Sequence, residues 1–245
     1  MKGIDPARRQ ELNQGSVETA NLVEALAVDV PALIHTVYPR LVFDPHVASL
    51  GIVKRMSSYA GLVYKQHGIT AFEKFKTHTS DMLRGMACYM PPLAEVSLEK
   101  QLQLIRPLAD DKHFGVREWA WMAIRPALIV DLSSGLLLLQ PWAEHSSERL
   151  RRYALEITRP RGVWCSHIQA LRNEPWLAEA LLCAVRKDPS RYVQLSVGNW
   201  LNDASKHHSR WVVSLCERWI DETKNNDSTK KIVARALRTV RRRSE

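Results

Sequence analysis

Apolar residues recur at three- and four-residue spacing through most of the chain, the period of helices that bury one face. Residues 17–28 are the first such stretch, and 32–38 follow a break at Pro31. Residues 47–66 make a longer one, with Gly68 expected as its C-cap. Further helices are predicted over 98–109, 132–145, 176–187 and 209–223; Pro107, Pro141 and Pro175 sit near their ends, and Pro189 follows one of them. Residues 1–16 are polar with little periodicity and are expected to be a mobile N-terminal tail. The remainder, 17–245, reads as one domain, with no linker within 17–242.

A repeat underlies these helices. Val116-Arg117-Glu118-Trp119-Ala120 and Leu150-Arg151-Arg152-Tyr153-Ala154 are 34 residues apart, and each precedes an arginine-proline step, Arg125-Pro126 and Arg159-Pro160, expected to close its helix. Asp81-Met82-Leu83-Arg84-Gly85-Met86-Ala87 opens a similar pattern. Taking Ala87, Ala120, Ala154, Val197 and Ala236 as equivalent gives intervals of 33, 34, 43 and 39 residues. Periods of this size belong to stacked helical pairs, none of which can bury its apolar face alone. The expected fold is therefore all-α, a HEAT-like helical-repeat solenoid whose concave groove is lined by the second helix of each pair.

Charge adds a partner class. The 245 residues carry 35 basic and 26 acidic side chains, a net charge of +9, which makes the groove basic and favours a polyanion. Charge alone does not choose between nucleic acid, a membrane surface and solubility. No stretch reaches the roughly 20 apolar residues of a bilayer span, and the start lacks the apolar core of a secretion signal. A cytoplasmic location is expected. Cys88, Cys165, Cys183 and Cys216 form no Cys-x-x-Cys pair. His207 and His208 are adjacent, so on a helix their side chains diverge by about 100°. Neither metal nor cofactor is expected. Arg235, Arg238 and Arg242 would share one face of a helix over 235–243, either as a phosphate-facing stripe or as a solvated tail.

Candidate chemistry lies on the repeat. Arg152, Glu156 and Arg159 fall at i, i+4 and i+7 of one helix. The aligned positions are Glu118, Met122 and Arg125 in the preceding copy, and Leu195, Asn199 and Asn202, beside Asp203, in the following one. Neighbouring helices would then bring Glu118, Glu156 and Asp203 into one groove among Arg117, Arg152, Arg159, Asn199 and Asn202. Singly, each acid reads as half of a surface ion pair, worth a few tenths of a kcal/mol. Together they oppose a polyanion and call for another purpose. Most of the eight tryptophans read as packing residues. Trp164, in Arg161-Gly162-Val163-Trp164-Cys165 just past a helix end, is placed to project into the groove, and Trp121 is a second candidate contact.

Three segments carry a family likeness: Phe114-Gly115-Val116-Arg117-Glu118-Trp119-Ala120-Trp121, residues 151–164 and residues 196–206. They resemble the AlkC branch of the bacterial DNA alkylation-repair glycosylases, over about residues 72–240. The resemblance implies a HEAT-like solenoid that excises N-alkylated bases such as 3-methyladenine, in the short form without the C-terminal immunoglobulin-like domain of some members. It makes Glu156 the leading catalytic carboxylate, with Glu118 and Asp203 in the same groove and Trp164 and Trp121 near the lesion. Arg152, Arg159 and Lys206 would hold phosphates, joined by Arg117, Arg161, Asn199, Asn202, Arg235 and Arg238 along the groove.

A base alkylated at a ring nitrogen carries positive charge and leaves readily. The remaining work is to stabilise an oxocarbenium-like sugar and accept a proton from water, which one carboxylate can do. With no groove lysine singled out as a nucleophile, no lyase activity is expected. The expected partner is alkylated DNA, bound by a monomer without metal or membrane. Two other readings stay open: a non-catalytic helical-repeat module that binds nucleic acid, and a protein-binding scaffold.

Overall fold

Side-chain caps start most of the helices. The computed structural model describes residues 4–244, with side chains as far as Arg242, and contains no strand among them. The chain divides into two compact units, Met1–Ile124 and Arg125–Glu245. In the first, Asp5, Asn21 and Asp29 accept first-turn amides of α1 (Pro6–Gln14), α2 (Leu22–Ala27) and α3 (Val30–His35). Then come α4 (Ile52–Lys76), α5 (Asp81–Ala87) and α6 (Leu98–Ala109), the last capped by Ser97. Helix α3 packs on α1 and α5, and α5 packs on α4. Ile34, Met56, Val63, Phe75 and Leu83 are fully buried there. Helix α7 (Phe114–Val130) contains the division between the units.

The second unit holds α8 (Leu132–Ala143), α9 (Glu148–Ile157), α10 (Gln169–Asn173), α11 (Glu179–Ala184), α12 (Arg191–Ala204), α13 (Ser209–Glu222), α14 (Asp227–Ala236) and α15 (Arg238–Ser244). Helix α12 packs between α9 and α14, α8 packs on α9 and α11, and α13 packs on α12 and α14. This is the stacking of helical pairs that the repeat predicts. Trp200 and Trp219 are fully buried in it, and Trp200 donates its indole N–H to the Thr158 carbonyl at 3.0 Å. Replacing a tryptophan so enclosed by alanine costs about 3–5 kcal/mol.

One polar latch recurs at four helix starts. At each, a side chain accepts the amide two residues on: His78 from Ser80, Asp111 from His113, His145 from Ser147, Asp188 from Ser190. Six residues after the acceptor, a long side chain reaches back to two carbonyls. Arg84 donates to His78 and Thr79, Arg117 to Asp111 and Lys112, Arg151 to His145 and Ser146, and Gln194 to Asp188 and Pro189. The spacings are 33, 34 and 43 residues, so Ala87, Ala120, Ala154 and Val197 are structurally equivalent. The aspartates add a tie between copies: Arg84 pairs with Asp111, and Arg151 with Asp188. Helix α14 starts differently, from the Asn226 side chain, which accepts the Ser228 and Thr229 amides.

Four sequence expectations need correction. Residues 6–14, assigned to a tail, form α1, which ends on left-handed Gly15 and buries Leu12; residues 1–3 lie outside the described residues. Gly68, by contrast, does interrupt its helix as the sequence predicts: its non-helical φ of 57° and ψ of −145° end one segment of α4, and a second follows to Lys76. Helix α7 runs through Arg125-Pro126 to Val130, tolerating the one backbone bond that Pro126 cannot make. Residues 176–187 split into a 3-10 turn, Pro175–Ala178, and the shorter α11. The arginines at 235 and 238 do not share one continuous helix, because α14 stops at Ala236 and α15 begins at Arg238.

Candidate nucleic-acid interface and carboxylate cluster

In the second unit, the ends of α9 and α12 bring two of the expected acids together. Arg159 lies between them, donating to Glu156 Oε2 at 3.2 Å and to Asp203 Oδ2 at 2.7 Å. Burial opposes the Arg159 charge, but Glu156 and Asp203 outweigh it and hold the guanidinium above its ordinary pKa. Lys206 donates to Asp203 Oδ1 at 2.9 Å. Arg152 stands 3.8 Å from Glu156 Oε1 and lies over the Tyr192 ring at 4.4 Å. Ser196 donates its hydroxyl to Glu156 Oε1 at 2.6 Å.

The cluster is closed rather than open. Glu156 is 4% exposed and Asp203 6%, where the sequence expectation places both in a shared groove. The physical reason is that α12 packs directly on α9, turning Ser196 onto Glu156 and Asp203 onto Arg159. Asp203 Oδ2 accepts twice from Arg159, from Nε at 3.2 Å and from Nη2 at 2.7 Å, so the two carboxylates are held in a fixed position.

Arg125 secures the same corner from α7. It is 1% exposed and donates to the carbonyls of Ile157 (2.7 Å), Arg159 (2.5 Å) and Ser166 (3.0 Å). Burial pushes its guanidinium pKa down. These bonds tie the end of α9 to the loop carrying Arg161 and Trp164. In that loop the Gly162 amide donates to His167 Nδ1, and a Cβ on Gly162 would lie 2.2 Å from the Cys165 carbonyl. Only glycine fits there. Trp164 beside it exposes 64% of its surface and Val163 74%.

The remaining candidates fall into two groups. Asn199 accepts from Arg235 at 2.8 Å, and a Cβ on Gly198 would sit 2.7 Å from Arg235 Cβ, so Gly198 admits the arginine stem against α12. Burial lowers the Arg235 pKa, and Arg238, Arg191 and Arg159 lower it further, marking a concentration of like charge. Arg238 is exposed. By contrast Asn202 is 1% exposed and accepts from the Thr239 amide and hydroxyl, so it anchors the start of α15 instead of facing a ligand.

Within the first unit, Arg117 is a latch residue. Trp121 is 7% exposed and donates to Glu118 Oε2 at 2.9 Å, which makes it a packed partner of that acid rather than an open contact. Ser196 and Arg125 were not among the sequence candidates. A signal for Ser196 existed: it stands where the preceding copies carry Met86, Trp119 and Tyr153.

No helix among the described residues is long and apolar enough to cross a membrane. Nor do they contain a group of three or more His, Cys, Asp or Glu side chains able to hold a metal ion.

No family model matches the chain. A stretch of 123 residues, 50% of the chain, is 34% identical to the uncharacterized protein YhaZ of Bacillus subtilis (strain 168) and spans 34% of that protein, about a third of its length. Among solved structures the chain is similar to the Pseudomonas fluorescens alkylpurine DNA glycosylase AlkC bound to DNA containing an abasic site analog. The TM-score is 0.64 at 24% identity, over 96% of this chain and 63% of that one. It is also similar to smu.31 from Streptococcus mutans UA159, with a TM-score of 0.60 at 20% identity, over 76% of this chain and 92% of that one. The fold is thus the all-α, AlkC-type helical-repeat fold.

Proposed function

We propose that the chain is a DNA glycosylase that hydrolyses the N-glycosidic bond of N-alkylated bases of the 3-methyladenine type, without lyase activity. The observation that carries this reading is the Glu156–Arg159–Asp203 cluster, set beside an exposed tryptophan and a concentration of arginines on the fold of a DNA-bound glycosylase. A cationic lesion needs little help from an acid. A fixed carboxylate pair opposes the positive charge that develops on the sugar, and it does so most strongly where water is excluded. In this geometry Glu156 is the main electrostatic group and Asp203 the second. Arg159 and Ser196 position them, and Trp164 contacts the lesion. Arg152, Arg161, Asn199, Lys206, Arg235 and Arg238 face the DNA backbone.

A second reading is favoured by one observation, the burial of both carboxylates under ion pairs. It makes the cluster structural and the chain a DNA-binding module that cleaves nothing. Incubation with DNA methylated at ring nitrogens separates the two. The glycosylase reading expects free 3-methyladenine and abasic sites without strand breaks. DNA binding with no base released supports the module. No salt-dependent affinity for DNA rejects both.

A further inference from the structure

A cationic cavity lies just past the carboxylate cluster, in the same unit, between the end of α10 and the turn from α12 to α13. It encloses about 300 Å³ and is lined by Arg172, Asn173, His207 and His208, with no acid among them. Arg172 Nη2 lies 3.3 Å from His207 Nε2. A guanidinium can only donate, so Nε2 is the acceptor and the His207 proton sits on Nδ1, a second donor. His208 Nε2 is bonded to the Arg172 carbonyl at 2.9 Å, and its ring meets Trp176 edge-on at 5.5 Å, which fixes the floor of the cavity. His208 is also the N-cap residue of the fourteen-residue α13 and makes no side-chain cap bond, so the positive end of that helix lies at the rim. Arg172, the Asn173 amide nitrogen and His207 Nδ1 are donors, and the acceptors Asn173 Oδ1 and His207 Nε2 are already taken by Gln169 and Arg172, a combination suited to a phosphate oxyanion.

We propose that Arg172, Asn173 and His207 form a station for one backbone phosphodiester of bound DNA. His207 follows Lys206, which holds Asp203, so a strand engaged at the cluster would pass the cavity with a flanking phosphate. The proposal rests on the DNA-binding reading and adds to it a contact outside the carboxylate cluster.

The test uses the full chain and a fluorescein-labelled duplex carrying an abasic-site analogue, with affinity followed by anisotropy between about 50 and 200 mM salt. The paired change Arg172→Gln with His207→Ala should lower the slope of log K against log salt by about 0.9, the value for one lost phosphate contact. Far-UV circular dichroism should be unchanged. Lys100→Gln, which removes a charge from the exposed face of α6, should leave the slope as it is. An equal fall with Lys100→Gln assigns the effect to net charge and overturns the station. So does an unchanged slope in the paired variant; if inorganic phosphate then moves the His207 ring resonances of the wild type, the cavity belongs to free phosphate. A wild-type chain with no salt-dependent affinity overturns the DNA reading itself, which the other two outcomes leave standing.

Discussion

Ser196 donates its hydroxyl to Glu156 Oε1 at 2.6 Å across 40 residues of chain. The bond joins α12 to α9 at the only position of four equivalent ones where a small polar side chain replaces Met86, Trp119 or Tyr153. Both partners are buried, at 2% and 4% exposure, so Ser196→Ala leaves a carboxylate oxygen without its shortest donor. The expected loss is about 1.5–3 kcal/mol, the range for hydrogen bonds to charged groups. Urea denaturation measures it, and a change within error would show that Arg152 and Arg159 suffice to hold Glu156.

Arg151 and Asp188 give a second test, of the repeat itself. The guanidinium meets both carboxylate oxygens, at 2.6 and 3.0 Å, and Asp188 also caps the next helix start. Arg151→Ala strands a buried acid and should cost about 3–5 kcal/mol. Glu148→Gln, on the same helix at a more exposed site, should cost far less. Similar losses for the two changes would mean that the latch contributes nothing particular to stability.

Gly198 is expected to resist even a methyl group. A Cβ there would lie 2.7 Å from Arg235 Cβ and 3.0 Å from both Cγ and Cδ, so α14 must shift away from α12. Gly198→Ala should lower stability by about 1–3 kcal/mol, as overpacking does. Thermal unfolding reads this directly; a stabilised variant would show that α14 moves without cost and that only backbone entropy was at stake.

Acid should weaken the first unit through Glu24. The Arg8 hydrogen bond, helped by the Ala20 amide, holds this carboxyl below its ordinary pKa. A depressed acid contributes stability above its unfolded value, about 4.3, and loses it as pH falls through the folded one. Denaturation between about pH 6 and pH 3 should therefore show a shallower acid limb in Glu24→Gln than in the wild type. Parallel limbs would remove the Arg8–Glu24 pair from the pH response.

Local periodicity made much of the fold legible. The helix over 98–109 appears with those bounds, and the 33- and 34-residue registers reappear as the latches at His78, Asp111 and His145. The 43-residue interval to the next copy also reappears, between the latches at His145 and Asp188, so Asn199 is the equivalent of Glu156. Equivalent positions do not name contacts, however, and the actual partner of Glu156 is Ser196, three positions earlier. Burial of Glu156 and Asp203 was not readable either, because the face a helix exposes depends on the neighbour packed against it, here α12 on α9. Residues 6–14 lacked an apolar stripe, yet Asp5 and Gly15 cap them as a helix, so local capping outweighed weak amphipathicity. Arg125 was aligned with Arg159 by sequence, but its environment of backbone carbonyls arises only in three dimensions.

The most direct test of the carboxylate chemistry is the single-turnover release of 3-methyladenine from alkylated duplex DNA by the wild type and by Glu156→Gln. The amide keeps the size of the side chain and an acceptor for Ser196, and removes the charge together with the acceptor for Arg159. The account expects the wild type to release the base and the variant to do so about 100-fold more slowly or worse, the scale for losing a principal transition-state contact, while both bind the DNA equally. Equal release rates, or no release by the wild type, would contradict it.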